Sequence, residues 1–328
     1  MRRQLEAIRA HVTAADGIVV VDKPAGFTSH DVVGAMRRLA ATRKVGHAGT
    51  LDPMATGVLI LGIGKATRLL HYITGADKTY TATVVLGVAT DSDDADGQVI
   101  ETNGCGDISE VEIDQAIRAL TGTIEQVPAT VSAIKVGGKR AHALHRNGQS
   151  VTLQARSVTV SRFERTSPLR TVVRSFAQSD TVETIEFDVE VECSSGTYVR
   201  CLARDLGTMM GTGGHLSALR RTRVGKWTIN EATTIDACNA VINRANRLEP
   251  PAALDTISLT DACTKMFDVL DLTAAEARAL SFGNATTIEP RTSENVPIAA
   301  IYDGRVQALI ELQKDRYRPL IVFEVHSE

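Results

Sequence analysis

Asp52 is the one carboxylate in GHAGTLDPMATG, the stretch from Gly46 to Gly57. The proline after it disfavours helical backbone at Asp52 and so limits where the carboxylate points. Gly46, Gly49 and Gly57 leave out side chains where the backbone could pass close to something bulky. A carboxylate held like this can act as nucleophile or base at an electrophilic carbon, a sugar C1′ among them. The same residues also suit a plain Asp-Pro turn between a helix and a strand. Taken alone they leave both readings open.

Other chemistries lack their usual residues. LGIGKATR (61–68) has Gly64-Lys65 followed by Ala66, where a phosphate loop needs Ser or Thr, and its first glycine is missing. No GxGxxG, HExxH or GxSxG occurs, so hydride transfer, zinc hydrolysis and serine acyl transfer have no motif here. Cys105, Cys193, Cys201, Cys238 and Cys263 are odd in number and form no CxxC pair, which argues against a disulfide framework and a zinc site. His142 and His145 have no second ligand pair and suit a surface or RNA-facing place better than a metal. No metal and no cofactor is expected.

Charge is uneven. The chain carries −3 overall, but residues 91–114 hold nine acids and no Lys or Arg, leaving the remainder at +6. Two segments, 134–146 and 219–227, each hold four basic residues and no acid. Such clusters fit phosphate, although many are only solvated faces.

The elements that must position Asp52 follow from local patterns. GIVVVDKPAG (17–26) reads as a buried strand ending in a turn, and 29–40 as a helix capped by Ser29. A buried strand at 58–64 and a short helix at 66–73 follow the Asp52 loop. Tyr80, Ala82, Val84 and Leu86 alternate on one face, as do Ile185, Phe187, Val189, Val191 and Cys193. Ser109/Glu112 and Thr273/Glu276 are capping boxes. Residues 194–207 read as a turn and a helix ended by Gly207, and 165–181 as a polar, flexible excursion between strands. At 328 residues the chain has room for about two domains. A Pro-Pro linker near 247–256 separates an α+β domain at 1–250, with a largely antiparallel mixed sheet, from a small β-rich module at 255–328. The charged N-terminus has no apolar signal core and GVLILGIG is too short to cross a bilayer, so a cytoplasmic protein is expected.

GHAGTLDPMATGVL closely resembles the catalytic motif of the TruB family of tRNA pseudouridine synthases. GIVVVDKPAGFTSHDVV, DKTYTATVVLG with TDSDDADG, VPATVSAIKVGGKRAHALHRNG, CSSGTYVRCLARDLG and GGHLSALRRTRVG resemble further family blocks, in family order over residues 17–227. The resemblance implies the pseudouridine synthase fold. It also implies isomerisation of the T-loop uridine of tRNA, position 55 in tRNA numbering, without metal, redox cofactor or nucleotide energy. Asp52 corresponds to the catalytic aspartate. Tyr80 would stack on the flipped uracil, and Arg200 would pair with Asp52. Tyr198 and Leu219 would complete the base pocket, and His47 would enter the space the nucleotide leaves. Lys23 and Pro24 would support the loop. The C-terminal module is similar to a PUA-type RNA-binding domain only weakly, as in actinobacterial members.

The expected partner is the T-arm of tRNA, recognised by shape and phosphate contacts at the two basic segments, with the acidic 91–96 loop partly off the RNA path. No guide RNA is expected, and a monomer fits. A guide-dependent relative and a non-catalytic RNA-binding protein are the competing readings.

Overall fold

The alternating stretches at 78–88 and 184–193 become neighbouring strands at the centre of one large sheet. Lys78–Leu86 and Ser179–Cys193 run antiparallel, with Tyr80 opposite Val191 and Ala82 opposite Val189. The computed structural model describes residues 5–129, 153–176, 179–286 and 295–324, and the backbone of short strands Lys135–Val136 and Lys139–Arg140. Most of the basic 134–146 segment thus lies outside the described residues.

The sheet runs Ile257–Ser258, Gly17–Lys23, Thr56–Ile63, Gly214–Val224, Lys78–Leu86, Ser179–Cys193, Arg156–Arg165, Gly122–Gln126. Every neighbouring pair in that path is antiparallel except Thr56–Ile63 with Gly214–Val224. Val45–Ala48 hangs on Thr56–Ile63, so the chain leaves and rejoins the sheet on either side of the Asp52 loop.

One face of the sheet packs on helices Glu110–Ala119 and Val199–Met210, burying Ile113, Phe187, Val191, Leu202 and Leu206 in one cluster. The Ser109/Glu112 and Thr273/Glu276 capping boxes both form. The helix at Val199 does not stop at Gly207. It runs to Met210 and ends at Gly211, whose φ of +70° is the left-handed conformation glycine tolerates. Gly207 serves packing instead: a Cβ there would lie 2.2 Å from the backbone of Gly213. The first helix, Ser29–Leu39, is capped by Thr28 with Asp31, not by Ser29.

Within the polar 165–181 stretch, expected as a flexible excursion, Arg170–Phe176 is a strand. Arg170–Phe176 pairs along Ser179–Cys193, from Arg170 opposite Glu186 to Phe176 opposite Ser179. Arg170 pairs with Asp188, and Arg174 with Glu186. Arginines stand where apolar residues would mark a strand, because this face meets solvent and is held by cross-strand ion pairs.

The C-terminal sheet runs Asp268–Asp271, Ile298–Tyr302, Arg305–Gln313, Arg316–Val322. Its Ala299, Val306, Leu309 and Phe323 share a buried cluster with Ile18, Val20, Ile60 and Trp227 of the main sheet. Among the described residues no helix is long and apolar enough to cross a membrane.

Candidate active site

The Asp52 loop is held by its main chain. Ser29 Oγ donates to the Leu51 carbonyl (3.1 Å) and accepts from the Leu51 N–H (2.9 Å). Lys23 Nζ donates to Pro53 (3.2 Å), Pro24 and Phe27 carbonyls, and Gly26 N–H also reaches Pro53. Arg221 donates to Gly49 (3.1 Å), Thr50 (3.2 Å) and Val58 (2.8 Å). Fixing the backbone on both sides of Asp52 lets its carboxylate project without ordering the chain anew when substrate arrives. Ser29→Ala removes two buried hydrogen bonds and should lower stability by about 1–2 kcal/mol, read as a lower urea midpoint at unchanged m.

Asp52 is one-third exposed, at 33%, and meets Arg200 through two bonds, Nε–Oδ2 at 2.9 Å and Nη2–Oδ1 at 3.2 Å. This planar fork sets orientation as well as charge. Arg200 is only 3% exposed and has a second carboxylate behind it: its Nη1 donates to Asp94 Oδ2 at 2.9 Å and to the Ser92 carbonyl. Asp94 Oδ1 accepts from Ser92 Oγ (2.6 Å) and the Asp96 N–H (3.1 Å). A buried guanidinium therefore lies between two carboxylates, one facing the cleft and one facing the protein. One turn on, Arg204 meets Asp93, whose carboxyl is pushed up chiefly by burial against the pull of Arg204 and Arg200.

In front of Asp52 is a cleft of about 750 Å³. Tyr80, Tyr198 and Leu219 line it, with Lys78, Arg221 and the His71–Gly75 segment, and Asp52 is its only carboxylate among the described residues. Tyr80 and Leu219 are buried and Tyr198 is half-buried. The Gln126 amide holds Tyr198 by both its N–H (2.8 Å) and its carbonyl (3.1 Å). Among the described residues no three His, Cys, Asp or Glu side chains gather as a metal site would need. The five cysteines are buried and free.

Burial, with Arg221 adding to it, pushes Lys78 down to about 8, and Lys23 is likewise lowered to about 8 by burial. From that pH to about 10.4 the unfolded chain holds the lysine proton more tightly, so stability rises with pH across the window. Lys78→Met removes the part of this rise that Lys78 contributes. Between about pH 7.5 and 9.5, wild type should gain about 2 kcal/mol on the variant in urea unfolding.

Comparison with known proteins bears on what this cleft belongs to. The chain is 47% identical to "tRNA pseudouridine synthase B" of Arthrobacter sp. (strain FB24), over 95% of this chain and 98% of the relative. The same-named protein of Mycobacterium tuberculosis (strain ATCC 25618 / H37Rv) is 48% identical over 93% of this chain and 95% of its own. The chain belongs to the TruB family of pseudouridylate synthases. The family model described as TruB family pseudouridylate synthase (N terminal domain) matches residues 37–199, and that of the tRNA pseudouridylate synthase B C-terminal domain matches 200–257. Asp52, Tyr80 and Tyr198 fall in the first and Arg200, Leu219 and Arg221 in the second, so the cleft forms where the two matched regions meet. The pseudouridine synthase fold is shared with solved structures of low identity. A chain of an H/ACA RNP bound to a substrate RNA containing 2′-deoxyuridine is 22% identical, with a TM-score of 0.64 over 95% of this chain and 85% of that one. A chain of a Cbf5-Nop10-Gar1 complex is 23% identical, with a TM-score of 0.63 over 94% and 84%.

Not every family residue expected at the site reaches the cleft. Arg200 sits directly behind Asp52. His47 lies on Val45–Ala48, half-buried and off the cleft lining, with its Nδ1 buried and lacking a hydrogen-bond partner among the described residues. Burial lowers its pKa.

In the basic 219–227 segment Lys226 is exposed, and the three arginines are held by the protein. Arg221 is buried on carbonyls, Arg220 pairs with Asp22 and Arg223 with Glu192. Asp94, Ser29 and Arg221 were not singled out by the sequence for these roles. For Asp94 a signal existed: Arg200 and Arg204 stand one turn apart on a helix whose apolar face is buried, and need acids.

Proposed function

We propose that the chain isomerises the T-loop uridine of tRNA, uridine-55, to pseudouridine, with Asp52 as the catalytic carboxylate acting on a flipped-out base. The observation that carries the reading is the single carboxylate of the cleft, clamped by a buried arginine beside Tyr80 and Leu219. In this isomerisation the N1–C1′ bond breaks and a C5–C1′ bond forms, C5 loses a proton and N1 gains one. Asp52 supplies the negative charge, Tyr80 an aromatic face for the base, and Leu219 a dry wall. The arrangement serves attack at C1′, attack on the uracil ring and assistance of a glycal route alike. His47 takes the place of the nucleotide in the stem-loop. The relatives' shared name, tRNA pseudouridine synthase B, supports tRNA as the substrate.

In the same proposal the chain divides into a catalytic domain at 1–250 and a PUA-like RNA-binding domain at 255–328, and works as a cytoplasmic monomer without guide RNA. The test is tritium release from a T-arm stem-loop labelled at uracil C5, with purified chain and no other RNA. Release supports the reading. Release only when a guide RNA is added transfers the chain to the guide-dependent class, and binding without release makes it an RNA-binding protein.

A further inference from the structure

We propose that Phe267, in the β-rich C-terminal region, is a positioning residue for the reaction, holding through Tyr72 the short helix that walls one side of the cleft. The inference rests on the pseudouridylation reading above. That helix is Leu70–Gly75, and its His71, Tyr72, Thr74 and Gly75 line the cleft. It is six residues long, and no side chain caps its N-terminus. A helix this short is not stable by its own hydrogen bonds. Its place is therefore set from outside.

The helix is held from two sides. On the catalytic sheet, Lys78 lies just before Tyr80 on the same strand, and its Nζ donates to the Thr74 (2.6 Å) and Ala76 carbonyls. From the C-terminal region, the Phe267 ring meets the Tyr72 ring with centroids 5.3 Å apart and planes at 89°. Edge-to-face contact at this distance is an arrangement that aromatic quadrupoles favour. Phe267 is itself fixed by its chain. Its N–H donates to the Cys263 carbonyl (2.9 Å) where helix Leu259–Met266 ends, and strand Asp268–Asp271 starts at the next residue. Both rings are half-buried against the cluster that joins the C-terminal sheet to the main sheet. The turn leading into the helix is tied to the same region. Lys65 Nζ donates to the Phe323 carbonyl (2.7 Å), and the Arg68 guanidinium lies 5.1 Å from the centre of the Phe323 ring.

Among the described residues none beyond Arg221 lines the cleft, so Phe267 acts through Tyr72 and not by touching substrate. It also lies beyond residue 257, where the second matched region ends. The wall carries no carboxylate, and it bounds the base in the ground state and the transition state alike. Loosening it should weaken binding and spare the chemical step.

The experiment is tritium release from the C5-labelled stem-loop, with kcat and KM separated and stem-loop affinity measured alongside. Phe267→Leu keeps apolar bulk without an aromatic edge and should raise KM about fivefold, with kcat within about twofold of wild type. Tyr72→Leu should raise KM at least as much. The Tyr72→Leu/Phe267→Leu double variant should lie within about twofold of Tyr72→Leu, because Phe267 acts through Tyr72. Ile310→Val is the control. Ile310 is buried in a second cluster of the C-terminal region, apart from the shared one, so the variant should lower the urea midpoint and leave KM unchanged.

An unchanged KM in Phe267→Leu overturns the proposal, and so do multiplied losses in the double variant. An equal rise of KM in Ile310→Val also overturns it, since the C-terminal region would then act through its stability alone. A wild-type chain that releases no tritium defeats the pseudouridylation reading itself. Turnover by wild type with any of the three other results defeats this inference alone.

Discussion

Asp52→Asn should lower tritium release by about a thousandfold or more while leaving stem-loop affinity within a few-fold of wild type. The geometry separates the two effects. Asparagine keeps the size of aspartate and an oxygen for Arg200, and the loop backbone stays tied through Ser29, Lys23 and Arg221. Arg200 is not left as a lone buried charge, because Asp94 and the Ser92 carbonyl still hold its Nη1. What is lost is the negative charge at the one carboxylate of the cleft. Release by the variant equal to wild type would remove Asp52 from the reaction.

Asp94→Asn is expected to act at a distance from the substrate. Asp94 is buried and does not line the cleft, so RNA binding and KM should be unchanged. Its carboxylate balances a guanidinium that is itself almost wholly buried, and removing one partner of such a pair costs about 3 kcal/mol. Arg200 also loses the contact that sets its plane against Asp52. A misplacement near 1 Å at a reacting group can cost about a hundredfold, so kcat should fall by that order. Asp96→Asn is the control. Asp96 lies in the same acidic turn but is exposed, and should change neither stability nor kcat. Equal losses in both variants would mean that the loop works through its bulk charge, not through Arg200.

The acidic loop shows why part of the site was hidden in the sequence. The 91–96 segment reads as an acidic loop partly off the RNA path, yet Asp93 and Asp94 are buried against the helix that carries Arg200 and Arg204. The 165–181 stretch misled in the same way, since its arginines find Asp188 and Glu186 only after the chain turns back. Ser29 follows the capping residue by one position, and its hydroxyl serves Leu51 instead of its own helix.

Residues close in the chain announce themselves. The alternation at 78–86 and 185–193, the two capping boxes and the Asp-Pro loop depend on neighbours within a few positions. The ordered motifs that resemble the family named Asp52, Tyr80, Tyr198, Arg200 and Leu219, and the fold brings all five to one place. Only the tertiary structure decided what stands behind them. Asp94 is 106 residues from Arg200, and Gly49 is 172 from Arg221. No local preference encodes such a pair. A buried arginine must find acceptors or lose several kcal/mol, and which acceptors it finds is set by how the strands lie side by side.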